Sequence, residues 1–203
     1  PGNVPDPAQL TSDGRQWGVL DSVNLAIGQG DLLVTPLHIA VMTAAVANDG
    51  VIYKPYLVDR IGLIGEEPTF QAQPEELARL NVAPGILQFL REGLHNVTSQ
   101  PVIGTAEYRL GSMQITSAGK TGTAQVSTNA PPNAWFTGWV PYEEPELVIT
   151  VLVENGGQGS SVASPIFRRI VERYYDVRVL DWPRDWSDPE NFAFVSPDVV
   201  PGE

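Results

Sequence analysis

The sequence has no cysteine among its 203 residues, which excludes disulfide bonds, thiolate metal ligands and thiol-based catalysis. Histidine is also scarce. The two histidines, His38 and His95, lie far apart in sequence, and neither has a carboxylate at the spacing of a metal-binding pair. We therefore expect no metal site, and we expect both histidines to be ordinary core or surface residues.

Positively charged residues are also few. Twelve lysines and arginines stand against 24 acidic residues, so the net charge is −12. Binding to nucleic acid or to an anionic membrane surface needs clustered positive charge, so the composition argues against both. No apolar run reaches the roughly 18 residues of a membrane-spanning helix. The length and the 42% of apolar residues suit one large domain, or one domain and a tail.

Three segments show the spacing and the boundary residues of α-helices. Thr35 followed by Pro36 combines a hydroxyl N-cap with a proline at the first helical position. Gly50 is suited to the left-handed conformation that ends such a helix. Ser164, which also precedes a proline, repeats the N-cap pattern. The predicted helices cover residues 36–48, 83–98 and 164–175, and the apolar residues of the last two recur at helical intervals as Ile86, Phe89, Leu90, Leu94 and Val97, and as Ile166, Ile170 and Tyr174.

Residues 1–16 are rich in proline and glycine and are expected to be irregular. Segments rich in β-branched and aromatic residues predict strands. The stretch 147–153 is apolar almost throughout, so we expect it to be buried on both faces. The short turn at 141–145 predicts an antiparallel hairpin. The predicted strands lie within residues 51–64 (interrupted near Pro55), 114–125, 134–140 and 147–153.

The run SAGKTGTAQ, residues 117–125, has two competing interpretations. A phosphate-binding loop needs a glycine five positions before Gly119 and a helix after Lys120. Gln114 occupies the first position, and a strand-like stretch follows the lysine, so this interpretation fails.

The other interpretation is a strand that lines a cleft. Lys120 would supply a fixed positive charge, Thr121 and Thr123 would supply hydroxyl donors, and Gly122 would leave room for a ligand alongside the strand. A substrate with a carboxylate and an amide carbonyl needs these groups. Taken alone, the pattern is also compatible with a solvated lysine in a strand that ends at glycine.

The KTGT run is one of several segments whose order along the chain is more specific than the run alone. Together they resemble the C-terminal half of the transpeptidase domain of penicillin-binding proteins, and most closely the class B enzymes, which are transpeptidases only. The resemblance runs from about Val4 to Tyr175. The segments that carry it are AIGQGDLLVTPLHIA, VANDGVIYKPYLV, AGKTGTAQ, AWFTGWVP and VLVENGGQGSSVASPIFRRI.

The resemblance implies a role for each residue of the KTGT run. Members of the family bring three motifs together: Ser-x-x-Lys with the nucleophile, Ser-x-Asn, and the Lys-Thr-Gly strand. Lys120 would steady the substrate carboxylate and help to polarise the serine of the middle motif. The hydroxyls of Thr121 and Thr123 would bind that carboxylate. The backbone N–H of Thr123 would form half of the oxyanion hole, and Gly122 would let the substrate lie against the strand.

Two serines match the missing motifs as letters only. Ser117 precedes Lys120 by three residues, but the nucleophile motif needs a helix, and this stretch is glycine-rich and β-branched. Ser22 and Asn24 match Ser-x-Asn, but they lie directly before the AIGQG segment, whereas the family's motif lies well upstream of it. We therefore expect no nucleophile in this chain.

The resemblance and the first residue, Pro1, lead us to expect a C-terminal fragment of a larger enzyme. The expected fold is α+β, with helices on both faces of an antiparallel sheet that holds about three of the family's strands. Residues 1–178 would belong to the transpeptidase domain and residues 179–203 to an acidic tail rich in proline and aromatic residues. We expect the fragment alone to be inactive.

The parent protein is expected to be a peptidoglycan D,D-transpeptidase that acts through an acyl-enzyme outside the cytoplasmic membrane. Expected partners are stem peptides, β-lactams, the missing N-terminal half of the domain and a membrane glycosyltransferase, with no cofactor and no nucleic acid. Two alternatives remain open from the sequence. One is a D,D-carboxypeptidase or β-lactam sensor of the same family, and the other is a non-catalytic module that has lost its nucleophile.

Overall fold

The computed structural model describes residues 2–8, 14–126 and 129–177. The predicted acidic tail and its boundary at residue 178 lie outside the described residues. We number the helices α1 (Val19–Ala26), α2 (Pro36–Ala47), α3 (Pro84–Ser99), α4 (Glu107–Leu110) and α5 (Ser164–Tyr174). The strands are β1 (Val51–Tyr53), β2 (Arg60–Ile61), β3 (Phe70–Gln71), β4 (Glu76–Arg79), β5 (Ala118–Ala124), β6 (Asn133–Val140) and β7 (Leu147–Val153).

Within the described residues, the main sheet has three antiparallel strands in the order β5-β6-β7. Its register places Lys120 of β5 opposite Thr137 of β6, which in turn lies opposite Thr150 of β7. Two further ribbons, β1-β4 and β2-β3, each have two antiparallel strands. The expected α+β fold and the hairpin between β6 and β7 are confirmed.

Helices cover both faces of the main sheet, as predicted. On one face, Phe136 and Val151 pack in a buried cluster with Phe167 and Val171 of α5. On the other, Trp139 packs with residues of α2 and α3, which are Val46, Ala47 and Leu87. The alternation of side chains along β6 accounts for this division, because Phe136 and Trp139 have opposite parity and point to opposite faces.

The start of α2 is stabilised by the predicted cap. The hydroxyl of Thr35 accepts a hydrogen bond from the N–H of His38, and the Nδ1 atom of His38 accepts one from the N–H of Thr35. Gly50, two residues beyond the cap at Asn48, has a φ of +86°, which is the left-handed conformation expected there.

The start of α5 differs from the prediction. Ser164 is not an N-cap, because a π-helical turn at Gly159–Ala163 runs directly into the helix. The N–H of Ser164 donates to the carbonyl oxygen of Gly159, and its hydroxyl donates to that of Ser160 at 2.6 Å. At the start of α5, carbonyl oxygens of the π-helical turn therefore accept hydrogen bonds in place of a capping hydroxyl.

The buried face of α5 also differs from the predicted stripe. Ile170 is 41% exposed and Tyr174 is 55% exposed, whereas Phe167 and Val171 are fully buried. A buried ion pair extends this face, since Nε of Arg168 donates to Glu172 at 2.7 Å. Arg168 also donates to the carbonyl oxygen of Arg109 on α4, so the polar pair joins two helices.

Two apolar segments are more exposed than predicted. In α3, Ile86 is 61% exposed and Phe89 is 76% exposed, because the helix packs on the sheet through Leu87 and through Leu94, two turns further along. In β7 only Val151 is buried, and the other residues are half-buried. The expectation that β7 is buried on both faces is wrong, because β7 lies at the end of the described sheet and solvent reaches its side chains from that edge.

Four of the elements had no prediction. They are the short helices α1 and α4 and the short strands β3 and β4. Within the described ranges, no helix combines the length and the apolar character needed to cross a lipid bilayer.

Candidate active site

The KTGT run lies on β5, at the opposite end of the main sheet from β7. One edge of β5 pairs with β6, and in the described part of the chain no strand pairs with the other edge. Strand alternation places Lys120 and Gly122 on one face of the sheet and Thr121 and Thr123 on the other. Both kinds of side chain border the free edge, which has backbone groups available for a ligand.

Lys120 is exposed on β5. Its Nζ atom donates a hydrogen bond to the carbonyl oxygen of Thr121 at 3.0 Å. Among residues 2–8, 14–126 and 129–177, no carboxylate forms an ion pair with Lys120. The ammonium group is therefore held along the strand and is available to an anionic ligand.

The two threonines of the run have different surroundings. Thr121 is half-buried, and its hydroxyl is 2.9 Å from that of Thr105, in the loop that precedes α4. Thr123 is exposed, and its carbonyl oxygen accepts a hydrogen bond of 3.3 Å from Nε2 of Gln29. Gln29 lies in the AIGQG segment between α1 and α2, so the structure brings two of the segments that resemble the family into contact.

Two glycines explain how closely the chain packs at the middle of β5. A β-carbon on Gly122 would lie 3.0 Å from the β-carbon of Trp135 on the neighbouring strand. A β-carbon on Gly159 would lie 2.2 Å from the carbonyl oxygen of Trp135 and 2.3 Å from that of Gly122. The π-helical turn that begins at Gly159 therefore rests directly on the backbone of the KTGT strand.

We did not identify Gly159 as a site residue from the sequence. The available signal was the GGQG stretch at 156–159, which contains more glycine than a turn between a strand and a helix needs. Recognising its role requires knowing that this turn lies against β5.

A chain of three threonine hydroxyls lies on the same face of the sheet as Lys120. The hydroxyl oxygens of Thr43 and Thr137 are 2.8 Å apart, and those of Thr137 and Thr150 are also 2.8 Å apart. Thr43 donates its single hydrogen to the carbonyl oxygen of Ile39. It must therefore accept from Thr137, which in turn accepts from Thr150. These hydrogen bonds connect α2 to β6 at Thr137, the residue opposite Lys120.

The two serines that match the missing motifs occupy structural positions. Ser117 is 4% exposed and directly precedes β5, and its carbonyl oxygen accepts from the hydroxyl of Thr98 at 2.6 Å. Ser22 lies in α1, where its hydroxyl accepts from Nε1 of Trp17 at 2.7 Å. Position 25, one helical turn after Ser22, is a leucine and not a lysine.

His95 is held by a hydrogen bond and by a ring contact. Its Nδ1 atom lies 2.7 Å from the carbonyl oxygen of Ser117, which can only accept, so Nδ1 carries a proton. Its ring stacks on Tyr142 with centroids 4.1 Å apart. Within the described ranges, no group of three or more histidine, aspartate or glutamate side chains is arranged to hold a metal ion.

The similarity to known proteins agrees with this geometry. The peptidoglycan D,D-transpeptidase MrdA of Haemophilus influenzae is 31% identical to this chain over 180 residues, which cover 81% of the chain and 27% of that protein. The solved structure of Penicillin-Binding Protein (PBP2) from Helicobacter pylori superposes with a TM-score of 0.72 and 32% identity, and covers 88% of this chain and 31% of its own.

A third relative is penicillin-binding protein A from Mycobacterium tuberculosis, solved as an imipenem acyl-enzyme complex. It has a TM-score of 0.62 and 31% identity, and the match covers 75% of this chain and 33% of the relative. The chain thus spans about a third of the length of these relatives, or less. The family model of the penicillin binding protein transpeptidase domain matches residues 3–172. The chain therefore belongs to the penicillin-binding protein transpeptidase domain family.

Proposed function

We propose that this chain is the C-terminal portion of a peptidoglycan D,D-transpeptidase and that it supplies the substrate-binding wall of the active site. The observation that carries the proposal is the edge of β5 that no described strand pairs with, where the KTGT run presents two hydroxyls and an ammonium group that has no ion-pair partner among the described residues. Membership of the transpeptidase family gives this edge its chemical interpretation.

Each residue of the run has a role that its position supports. Lys120 attracts the substrate carboxylate and polarises the serine of the middle motif. The hydroxyls of Thr121 and Thr123 donate to the same carboxylate, and Gly122 has no side chain that would hold the substrate away from the strand. The backbone N–H of Thr123 stabilises the oxyanion, and such a donor accelerates acyl transfer when it is already aimed at the developing charge.

The contact of Thr123 with Gln29 supports the oxyanion role. In an extended strand, the N–H and the C=O of one residue point toward the same edge. Gln29 belongs to no strand, and it donates to the carbonyl oxygen of Thr123. The N–H of Thr123 is therefore directed toward the free edge of β5 and away from β6.

The reaction of the parent protein would proceed in two steps. A serine in a part of the protein that precedes this chain attacks the carbonyl carbon of a D-Ala-D-Ala stem peptide, and the terminal D-alanine leaves with a proton. An amine of a neighbouring stem then attacks the acyl-enzyme and releases the serine. β-Lactams would acylate the same serine, and the acyl-enzyme of the M. tuberculosis relative is consistent with this chemistry.

The exposed apolar surface of α1 supports the requirement for a further part of the domain. No residue of α1 is buried, and the exposed fractions of Val19, Leu20 and Val23 are 81%, 76% and 52%. Ile27, the residue that follows the helix, is 70% exposed. A surface with this many exposed aliphatic side chains marks a contact region. We assign it to the N-terminal half of the transpeptidase domain. The parent would act outside the cytoplasmic membrane, beside a membrane glycosyltransferase that supplies glycan strands.

The test uses the full-length protein that contains this chain, incubated with a penicillin and analysed by intact mass and peptide mapping. We expect one covalent adduct, on a serine preceding Pro1. We expect Lys120→Ala to slow acylation by a factor on the order of 100, as for the loss of one oxyanion-stabilising group. The only other lysine, Lys54, forms an exposed ion pair with Glu75, so Lys54→Ala is the matched control and should leave acylation unchanged.

Two outcomes would contradict the proposal. An adduct on Ser22 or Ser117 would show that this chain carries its own nucleophile. Folded protein that forms no adduct would favour a non-catalytic module, and Lys120 would then be a ligand contact without a catalytic role.

A further inference from the structure

We infer that Gln29 is a positioning residue for acyl transfer, which holds the carbonyl group of Thr123 so that the N–H of the same residue stays directed into the cleft. This inference rests on the proposed function, because it concerns the oxyanion donor of that reaction. The contact that carries it joins residues 94 positions apart, between Nε2 of Gln29 and the carbonyl oxygen of Thr123.

The backbone of the loop around Gln29 is held in a tight turn. The N–H groups of Ile27 and Gln29 both donate to the carbonyl oxygen of Asn24, at 3.2 and 2.8 Å. Gly28 and Gly30, on either side of Gln29, have φ values of +73° and +76°. Glycine adopts left-handed backbone of this kind more readily than other residues. The chain therefore turns sharply twice and presents the half-buried side chain of Gln29 toward β5.

The end of β5 needs such a support. Thr123 is the next-to-last residue of β5, and β6 holds the strand from one side only. At the end of a strand paired on one side, the peptide planes can rotate with little loss of hydrogen bonding. A donor on the free side restrains the carbonyl of Thr123, and the backbone N–H of that residue is restrained with it.

A role of Gln29 in blocking the cleft would have a different effect on ligand binding. Gln29 could act as a placeholder that a ligand must displace from the carbonyl oxygen of Thr123. Removal of its amide would then strengthen ligand binding. A positioning role requires instead that removal slows the chemical step and leaves initial binding nearly unchanged, because the oxyanion forms only in the transition state.

The experiment measures acylation of the full-length protein by a chromogenic β-lactam, with the dissociation constant and the acylation rate constant determined separately by stopped-flow kinetics. Gln29→Met keeps the length of the side chain and removes the donor. Gln29→Glu replaces the donor with an acceptor that repels the carbonyl oxygen. Gln88→Met is the control, since Gln88 makes its hydrogen bond to Glu92 on the exposed surface of α3.

We expect the acylation rate constant to fall about tenfold for Gln29→Met and further for Gln29→Glu, as for other small losses of catalytic geometry. The dissociation constant should change less than about twofold, the thermal midpoint should be unaltered, and Gln88→Met should match the wild type. An unchanged rate constant, or tighter binding in Gln29→Met, would overturn the inference. A wild-type protein that is not acylated would contradict the proposed function instead.

Discussion

Gly159 lies so close to Trp135 that a β-carbon on the glycine would be 2.2 Å from the carbonyl oxygen of the tryptophan. The obstacle is backbone of the central strand, which cannot move aside as a flexible side chain would. The same β-carbon would lie 2.3 Å from the carbonyl oxygen of Gly122 in the KTGT run. A single glycine thus allows the turn before α5 to pack directly on the KTGT strand.

We predict that Gly159→Ala destabilises the domain by about 1–3 kcal/mol, because an added methyl in a closely packed site forces the backbone to shift. Displacement of β5 should also slow acylation by a β-lactam. The control is Gly93→Ala, since Gly93 lies in α3 with no atom within 4 Å of the added carbon. That substitution should be neutral or stabilising by up to about 1 kcal/mol, as expected for alanine in a helix. Thermal unfolding of both variants tests the prediction, and equal stability of the two would contradict it.

The threonine hydroxyls beneath Lys120 lead to a second prediction. Thr137→Val preserves the branched shape but removes a donor to Thr43 and an acceptor for Thr150. Leaving these partly buried groups without their partner should reduce the free energy of unfolding by about 1–3 kcal/mol.

Denaturant unfolding measures this change, and Thr69→Val is the matched control. The hydroxyl of Thr69 makes one exposed hydrogen bond, to the carbonyl oxygen of Ile61. Its loss should change stability by no more than about 0.5 kcal/mol. If Thr137→Val were no more destabilising than the control, the hydroxyl chain would contribute nothing to the attachment of α2.

A third prediction concerns alkaline pH. Burial and, to a smaller extent, hydrogen bonding to the Glu146 carboxylate raise the pKa of Tyr175 to about 12. Its hydroxyl donates to Oε2 of Glu146 at 2.9 Å. Because the folded pKa lies above the ordinary value of about 10, the neutral phenol stabilises the fold. This stabilisation is fully present below about pH 10 and is lost as the pH rises toward 12.

Ultraviolet difference titration of tyrosine ionisation should therefore show a late step that Tyr175→Phe removes. Substitution of the exposed Tyr56 by phenylalanine should leave that step in place. In Glu146→Gln the pKa of Tyr175 should fall but stay raised, because burial is the larger cause. A pKa that returned fully to the ordinary value in Glu146→Gln would contradict this order of causes.

Local sequence patterns were sufficient to predict most of the elements that form the site. Thr35 and Pro36 correctly predicted that α2 starts at residue 36. An N-cap and a first-turn proline act only on the nearest backbone groups, so the local sequence is enough to place them. The β-branched and aromatic residues of β6 and β7, separated by a short turn, likewise predict a hairpin. Residues 114–125 were predicted to be extended because glycine and β-branched residues disfavour a helix, and β5 occupies residues 118–124 of that stretch.

Short elements and buried faces could not be predicted in this way. Ile166, Ile170 and Tyr174 have helical spacing and were predicted to form the buried face of α5. The buried residues are instead Phe167 and Val171, because the side of the helix that is buried depends on how the helix packs against the sheet. The cap assigned to Ser164 was wrong because the chain before it is already helical, which depends on the packing of Gly159 against β6.

The sequence by itself thus determined the family, the strand that carries Lys120 and the candidate substrate contacts, because motifs and propensities depend on neighbouring residues. Only the tertiary structure decided how that strand is held. Its supports, Gln29 at Thr123 and Gly159 at Trp135, come from distant parts of the chain. Which distant groups meet depends on how helices and strands pack around a shared core, and no local pattern contains that information.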